Sequence, residues 1–156
     1  MGKSGRELTG NQKLEERAHL DQLIRLYPGF PQGRILPAES PDFLIYGTRR
    51  RITGIEITRL TRHTGSNHMD KGHFQPEFSV ESIWNLIRKK EAKMPRYLRK
   101  GVDGVWLVIL VDAFSHSPAF NIRNQLERLN PDTAFRVILI MDLSLQKVYE
   151  IKPPET

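Results

Sequence analysis

Two carboxylates stand out in the sequence because each falls within a predicted β-strand. Pro41-Asp42-Phe43 opens one strand, and Gly54-Ile55-Glu56-Ile57-Thr58 lies inside the next. Successive side chains of a strand point to opposite faces, so Glu56 points away from Ile55 and Ile57. A carboxylate that other elements cover needs a partner or a metal ion. Two carboxylates on adjacent strands can converge on a hard cation such as Mg²⁺ or Mn²⁺, which prefers oxygen ligands.

The strands that hold these carboxylates are expected over residues 42–46 and 52–58, joined by residues 47–51 as an antiparallel hairpin. Continuous apolar runs over 105–111 and 135–141 are typical of strands that are buried on both faces. A helix predicted over 118–129 separates these two runs, so they can lie parallel in one sheet. A short last strand is predicted over 148–151.

Two further helices should cover the sheet. The first is predicted over residues 12–27, with Asn11 as N-cap and an inward stripe of Leu20, Leu23, Ile24 and Tyr27. The second is predicted over 80–94, with Ile83, Trp84, Ile87, Lys90 and Met94 among the residues on one face. Residues 28–41, which include Pro31, Gly33 and Pro37, are expected to form a loop, and 62–78 a long polar loop. Residues 1–11 are predicted to be a flexible tail, and 12–156 a single domain.

Composition excludes several classes of protein. The chain has 156 residues, of which 38% are hydrophobic, and its longest apolar stretch, over 105–111, is far shorter than the roughly 20 residues of a membrane span. The absence of cysteine excludes disulfide scaffolds, thiolate zinc sites and cysteine catalysis. The N-terminal residues lack the apolar core of a signal peptide. We therefore expect a cytoplasmic protein that has no membrane partner.

The excess of basic residues favours a polyanionic partner. Lys and Arg number 24 against 18 Asp and Glu, which gives a net charge of +6. Arg49, Arg50 and Arg51 occupy the predicted hairpin tip, where they could contact phosphates or simply form a soluble turn. Three more basic residues follow the second predicted helix and form a second candidate surface for nucleic acid: Arg96, Arg99 and Lys100.

Pro41-Asp42 and Glu56, on these elements, resemble the PD-(D/E)XK nuclease superfamily. The resemblance runs from about residue 14 to 112 and implies a restriction-endonuclease-like α/β core, with αβββαβ order and a mixed central sheet flanked by helices. It implies a metal-dependent endonuclease that hydrolyses phosphodiester bonds, with DNA as the expected substrate. Asp42, Glu56 and the backbone carbonyl of Ile57 would hold Mg²⁺ or Mn²⁺. Members of the family also often carry a glutamate on the first helix, and Glu16 is the candidate because it continues the inward stripe.

One position departs from the family pattern. The family's lysine normally lies two residues after the glutamate, where this chain has Thr58. Some members are understood to supply the lysine from the following helix, and Lys90 continues the apolar stripe there. The alternative is that Lys90 belongs to a solvated, charged helix end.

Thr58 therefore keeps a second function open, a catalytically inactive nucleic-acid-binding or assembly domain on the same fold. A third interpretation is a generic α/β domain in which Glu56 points outward to solvent. The sequence does not distinguish DNA from RNA, and it leaves the oligomeric state open, a homodimer included.

Overall fold

A mixed sheet of six strands forms the centre of the protein in a computed structural model, which describes residues 2–60, 80–112 and 132–155. Helices flank the strands, so the predicted α/β class with a mixed sheet is confirmed. The elements in chain order are α1 (Gly2–Leu26), β1 (Arg34–Pro37), β2 (Phe43–Tyr46), β3 (Ile52–Arg59), α2 (Val80–Glu91), α3 (Met94–Leu98), β4 (Gly104–Val111), β5 (Val137–Asp142) and β6 (Lys147–Lys152).

The strands lie in the sheet in the order in which they occur in the chain. β1, β2 and β3 form an antiparallel meander, β4 and β5 continue parallel to β3, and β6 returns antiparallel to β5. The predicted hairpin of β2 and β3 and the predicted parallel pairing of β4 with β5 are both confirmed. β4 and β5 are apolar on both faces because the sheet is covered on both sides.

Each face of the sheet has its own core. Leu20 and Leu23 of α1 are fully buried against one face, together with Phe43, Ile55 and Trp106. Ile83 and Ile87 of α2 and Tyr97 of α3 are fully buried against the other face, beside Leu107 and Ile109. Ile24 was predicted to belong to the inward stripe of α1, but it is 36% exposed because it lies at the rim of the contact.

The first helix begins earlier than its sequence pattern predicts. α1 begins at Gly2, so the segment predicted as a tail is helical and Asn11 lies within the helix instead of capping it. Residues 3–9 carry no apolar stripe, yet Lys, Arg, Glu and Leu are good helix formers. Extending a helix costs much less free energy than nucleating one, so the packed half of α1 can continue into a polar segment.

Two short elements were not predicted. β1 lies in the segment that was expected to be a loop, and it tolerates Pro37 because an edge strand can lack a backbone donor. α3 follows α2 directly, with Pro95 in its first turn. Proline there ends the preceding helix and also suits the start of the next one, since it needs no intrahelical N–H bond.

Some predictions concern segments outside the described residues: the helix over 118–129 and the polar loop over 62–78. Among the residues that the structure describes, no helix is long and apolar enough to cross a membrane.

Candidate functional site

Glu56 is a buried carboxylate in the middle of β3. It is 5% exposed, and its neighbours Ile55 and Ile57 pack on the α1 side of the sheet, so its side chain is directed to the side of α2 and α3. The hydroxyl of Tyr97 donates a hydrogen bond to Glu56 Oε2 at 2.6 Å, and Lys90 Nζ lies 3.4 Å from the same oxygen. The interpretation of Glu56 as an outward strand residue is therefore wrong.

Asp42 lies next to Glu56 because of the register of the hairpin. Phe43 pairs with Ile55, so Asp42, one residue earlier, lies opposite Glu56 on the neighbouring strand. Asp42 Oδ2 accepts a hydrogen bond from the backbone N–H of Ile57 at 2.8 Å. The N–H and carbonyl of one strand residue point to the same edge, so the Ile57 carbonyl is also directed toward the Asp42 side of β3. The structure thus brings the two carboxylates together, with the Ile57 carbonyl directed to the same side of β3 as Asp42.

Burial and the neighbouring carboxylates together change the protonation of Asp42. Burial raises the pKa of Asp42 to about 8, and the negative charge of Glu56, a hydrogen bond with Glu56 and the charge of Glu16 act in the same direction. The hydrogen bond from Ile57 lowers this pKa but does not offset the other effects. At neutral pH, Asp42 without a cation therefore retains a proton most of the time. Such a site favours any added positive charge.

Lys90 is the lysine of its helix that reaches the carboxylates. Its side chain is 17% exposed, whereas its neighbours Lys89 and Lys93 are exposed. The interpretation of Lys90 as part of a solvated helix end is wrong, since its ammonium group is close to a buried carboxylate. Thr58, on the same face of β3 as Glu56, is partly buried.

Tyr97 was missed in the sequence. It is fully buried, and burial, followed by the hydrogen bond with Glu56, raises the pKa of its hydroxyl above the ordinary value. The sequence offered one indication of its role, because the hydroxyl of a buried tyrosine usually has a hydrogen-bond partner. Without α3 in the prediction, however, nothing placed Tyr97 near β3.

Glu16 enters the site from α1, on the opposite side of the sheet from Lys90. Its side chain is 14% exposed and lies 3.2 Å from Lys13 Nζ, which is itself 3.9 Å from Asp42 Oδ1. Gln12 donates a hydrogen bond to Glu16 Oε1 at 3.3 Å. Glu16 Oε2 is buried without a hydrogen-bond partner in the described part of the chain, because its ion pair with Lys13 lacks hydrogen-bond geometry. The structure thus brings Glu16, the proposed third carboxylate, close enough to Asp42 to affect its pKa. Lys13, which lies between them, was not predicted.

A cleft of about 160 Å³ lies between α1 and the end of β3. Two of its lining residues, Glu16 and Ile57, adjoin Asp42. One carboxylate of the candidate site, Glu16, therefore lines a cleft on the α1 side.

The two predicted basic surfaces lie at different distances from the carboxylates. Residues 49–51 are exposed at the tip of the hairpin. Arg51 precedes Glu56 by five positions, a separation of roughly 17 Å along a strand. The second basic surface begins in α3, whose Tyr97 contacts Glu56, and its members are all exposed: Arg96, Arg99 and Lys100. The structure therefore brings the second surface nearer to the site.

The oxygen ligands at this point suit a small hard cation that keeps several of its waters. They are too few to surround a metal ion with side chains alone. In the described ranges, no group of three or more His, Asp or Glu residues could hold a metal ion. Mg²⁺, however, commonly uses one or two carboxylates and retains several waters. Asp42, Glu56 and the Ile57 carbonyl fit that requirement. Burial, followed by the charge of Glu56, raises the pKa of Asp42, and a bound cation would offset both effects.

Comparison of the chain with protein-family models, with curated proteins and with solved structures finds no match.

Proposed function

We propose that this protein is a metal-dependent nuclease of the PD-(D/E)XK type that hydrolyses phosphodiester bonds, with DNA as substrate. One observation carries the proposal: Lys90 Nζ lies 3.4 Å from Glu56 Oε2 in a site where Glu56 adjoins Asp42. The residue at position 58 cannot supply an ammonium group, and Lys90 supplies one from α2. A partly buried lysine beside a pair of carboxylates is a candidate for a site that handles phosphates and protons.

The order of the elements supports the finer fold proposal, a restriction-endonuclease-like core. The described elements from α1 to β4 are a helix, an antiparallel meander of three strands, the two helices α2 and α3, and a strand parallel to the third. Apart from the short α3, this is the αβββαβ order that the sequence resemblance implies. The carboxylates lie on β3 and at the start of β2, where the resemblance expects them.

Mg²⁺ or Mn²⁺ would be held by Asp42, Glu56 and the Ile57 carbonyl. Such an ion, when bound, makes a water molecule more acidic and stabilises negative charge on a phosphate. Tyr97 fixes the orientation of Glu56 through its 2.6 Å hydrogen bond. Lys90 would orient the attacking water or offset charge that develops on the phosphate. Glu16, on the α1 side of Asp42, is the third carboxylate of the site.

Substitution of Lys90 tests the proposal directly. Lys90→Ala is expected to lower Mg²⁺-dependent cleavage of plasmid DNA by about 100-fold or more, because it removes an ammonium group that acts in the transition state. Lys89→Ala is the matched control, since Lys89 is the exposed neighbour on the same helix. We expect the control to cleave within about threefold of the wild type. Equal rates for the two variants would contradict the role of Lys90.

Thr58 favours a second candidate, an inactive domain that binds nucleic acid. That alternative expects the protein to bind DNA and to leave it intact with Mg²⁺ or Mn²⁺. The contact between Lys90 and Glu56 argues against it, because a lysine that only binds the phosphate backbone must be free to contact it, whereas the Lys90 ammonium group lies against a buried carboxylate. Cleavage that stops when EDTA is added, and that Lys90→Ala abolishes, would exclude the inactive domain.

The proposed contact with nucleic acid has its own test in the salt dependence of binding. Removing one side chain that binds a phosphate should reduce the slope of log affinity against log salt by roughly 0.9 on duplex DNA. Arg49 and Arg50 have left-handed backbone angles, with φ of 57° and 58°, so asparagine replaces them with little strain. We expect the variant Arg49→Asn, Arg50→Asn, Arg51→Gln to bind DNA with a flatter salt dependence and to keep its Mn²⁺ affinity.

The second basic surface provides the comparison for that measurement. The variant Arg96→Gln, Arg99→Gln, Lys100→Gln should flatten the slope as well. It should reduce cleavage more strongly because these residues lie within three positions of Tyr97, whose hydroxyl contacts Glu56. Slopes equal to that of the wild type in both variants would exclude both surfaces from the contact with DNA.

A further inference from the structure

Lys13 occupies an oxygen-lined position beside the carboxylates. Its ammonium group lies 3.2 Å from Glu16 Oε2 and 3.9 Å from Asp42 Oδ1, and it donates a hydrogen bond to the carbonyl of Ala38. Two carboxylates and a carbonyl, from α1, the start of β2 and the segment before it, therefore surround one cation. Hard divalent ions choose the same kind of surroundings.

We propose that the Lys13 ammonium stands in place of a second divalent ion between Glu16 and Asp42, so that the protein binds one metal ion. The inference rests on the proposed metal-dependent function and specifies how many ions that function uses. Lys13 and Lys90 then flank the single ion, Lys13 on the α1 side and Lys90 on the α2 side of the sheet.

The charges of the site support a single ion. Three carboxylates, Glu16, Asp42 and Glu56, face two ammonium groups, which leaves one net negative charge when all are ionised. One divalent ion changes the net charge of the site from −1 to +1. A second ion would raise it to +3 in a partly buried site. Repulsion between cations a few ångströms apart is large where water is scarce. Without Lys13, a second ion would be much less strongly opposed.

The geometry also explains why Glu16 faces an ammonium group. Glu16 Oε2 is buried and makes no hydrogen bond within the described residues, so only the charge of Lys13 compensates it there. A lysine ammonium is a compact point charge, which can replace an ion electrostatically without an ordered coordination shell. Substitution of Lys13 by a neutral residue of similar length should leave this position open to a divalent ion.

The number of bound Mn²⁺ ions tests the proposal, measured by electron paramagnetic resonance or calorimetry on the full chain without nucleic acid. The wild type is expected to bind one Mn²⁺, and Lys13→Met two. The double variant Lys13→Met, Glu16→Gln should return to one ion, since it lacks the carboxylate that holds the second. Lys89→Met is the matched control for the removal of a lysine, and we expect it to bind one.

The outcomes distinguish a failure of the inference about Lys13 from a failure of the proposed function. If the wild type binds no more Mn²⁺ than Glu56→Gln, the proposed function fails. If the wild type binds one ion and a folded Lys13→Met also binds one, the inference about Lys13 is overturned. The double variant Lys13→Met, Glu16→Gln provides a second test. A folded double variant that binds two Mn²⁺ would show that Glu16 does not hold the second ion and would contradict the proposal.

Discussion

Glu56→Gln is expected to lower metal-dependent cleavage of DNA on the order of 10³-fold and to weaken Mn²⁺ binding strongly. Glu56 has the largest expected effect because Asp42, Lys90 and Tyr97 all interact with its carboxylate. Glutamine preserves the shape of the side chain and can still accept the hydrogen bond from Tyr97. The variant therefore removes the charge of Glu56 and little of its packing, and the protein should remain folded.

Glu81→Gln is the control for this experiment. Glu81 is an exposed glutamate in the first turn of α2, away from β3, and its substitution should leave cleavage and Mn²⁺ binding unchanged. Circular dichroism should show that both variants are folded. Cleavage by Glu56→Gln at the rate of the wild type would show that any nuclease activity arises elsewhere or from a contaminant.

Asp42→Asn is expected to stabilise the protein at high pH while it abolishes cleavage. Asp42 has a pKa of about 8 in the folded protein, against an ordinary value of 3.8. Between these values the folded state holds a proton that the unfolded state has released, so the free energy of unfolding falls as pH rises. The slope of this contribution is at most about 1.4 kcal/mol per pH unit, and the contribution becomes constant above pH 8. Asparagine avoids this cost and can still accept the hydrogen bond from Ile57.

The measurement is urea unfolding of the wild type and Asp42→Asn from pH 4 to 9 in EDTA. The variant should have almost the stability of the wild type at pH 4, and its advantage should grow to a few kcal/mol at pH 9. Asp21→Asn, at an exposed position in α1, should show no comparable pH dependence. Added Mg²⁺ should stabilise the wild type and not Asp42→Asn, since only the native wild type binds the ion. An advantage that is independent of pH would contradict the raised pKa.

The central part of the site could be predicted from the sequence because it depends on local rules. Alternation along a strand directs Glu56 to one face, and a hairpin places the start of β2 beside the middle of β3. Helical periodicity directs Lys90 toward the sheet because it continues the stripe of Ile83 and Ile87. These rules need only the residues of one or two neighbouring elements.

The rest depends on contacts that local patterns do not encode. Lys13 reaches Asp42 only because α1 packs across the sheet near the start of β2. Tyr97 reaches Glu56 because a second short helix follows α2, whereas the sequence predicted a single helix over 80–94. β1 is a four-residue edge strand that contains proline, so it lacks the length and alternation that identify strands. In each case, tertiary packing outweighs the sequence signal.

The site combines residues from early and late elements of the chain, and this order has a consequence for biosynthesis. Both carboxylates are present once the chain has been made as far as β3, whereas Lys90 and Tyr97 are synthesised more than 30 residues after Glu56. A growing chain therefore carries the two carboxylates before it carries the lysine and the tyrosine that contact Glu56. Under the proposed function, an unfinished chain would lack the ammonium group that the reaction needs until α2 and α3 dock on the sheet.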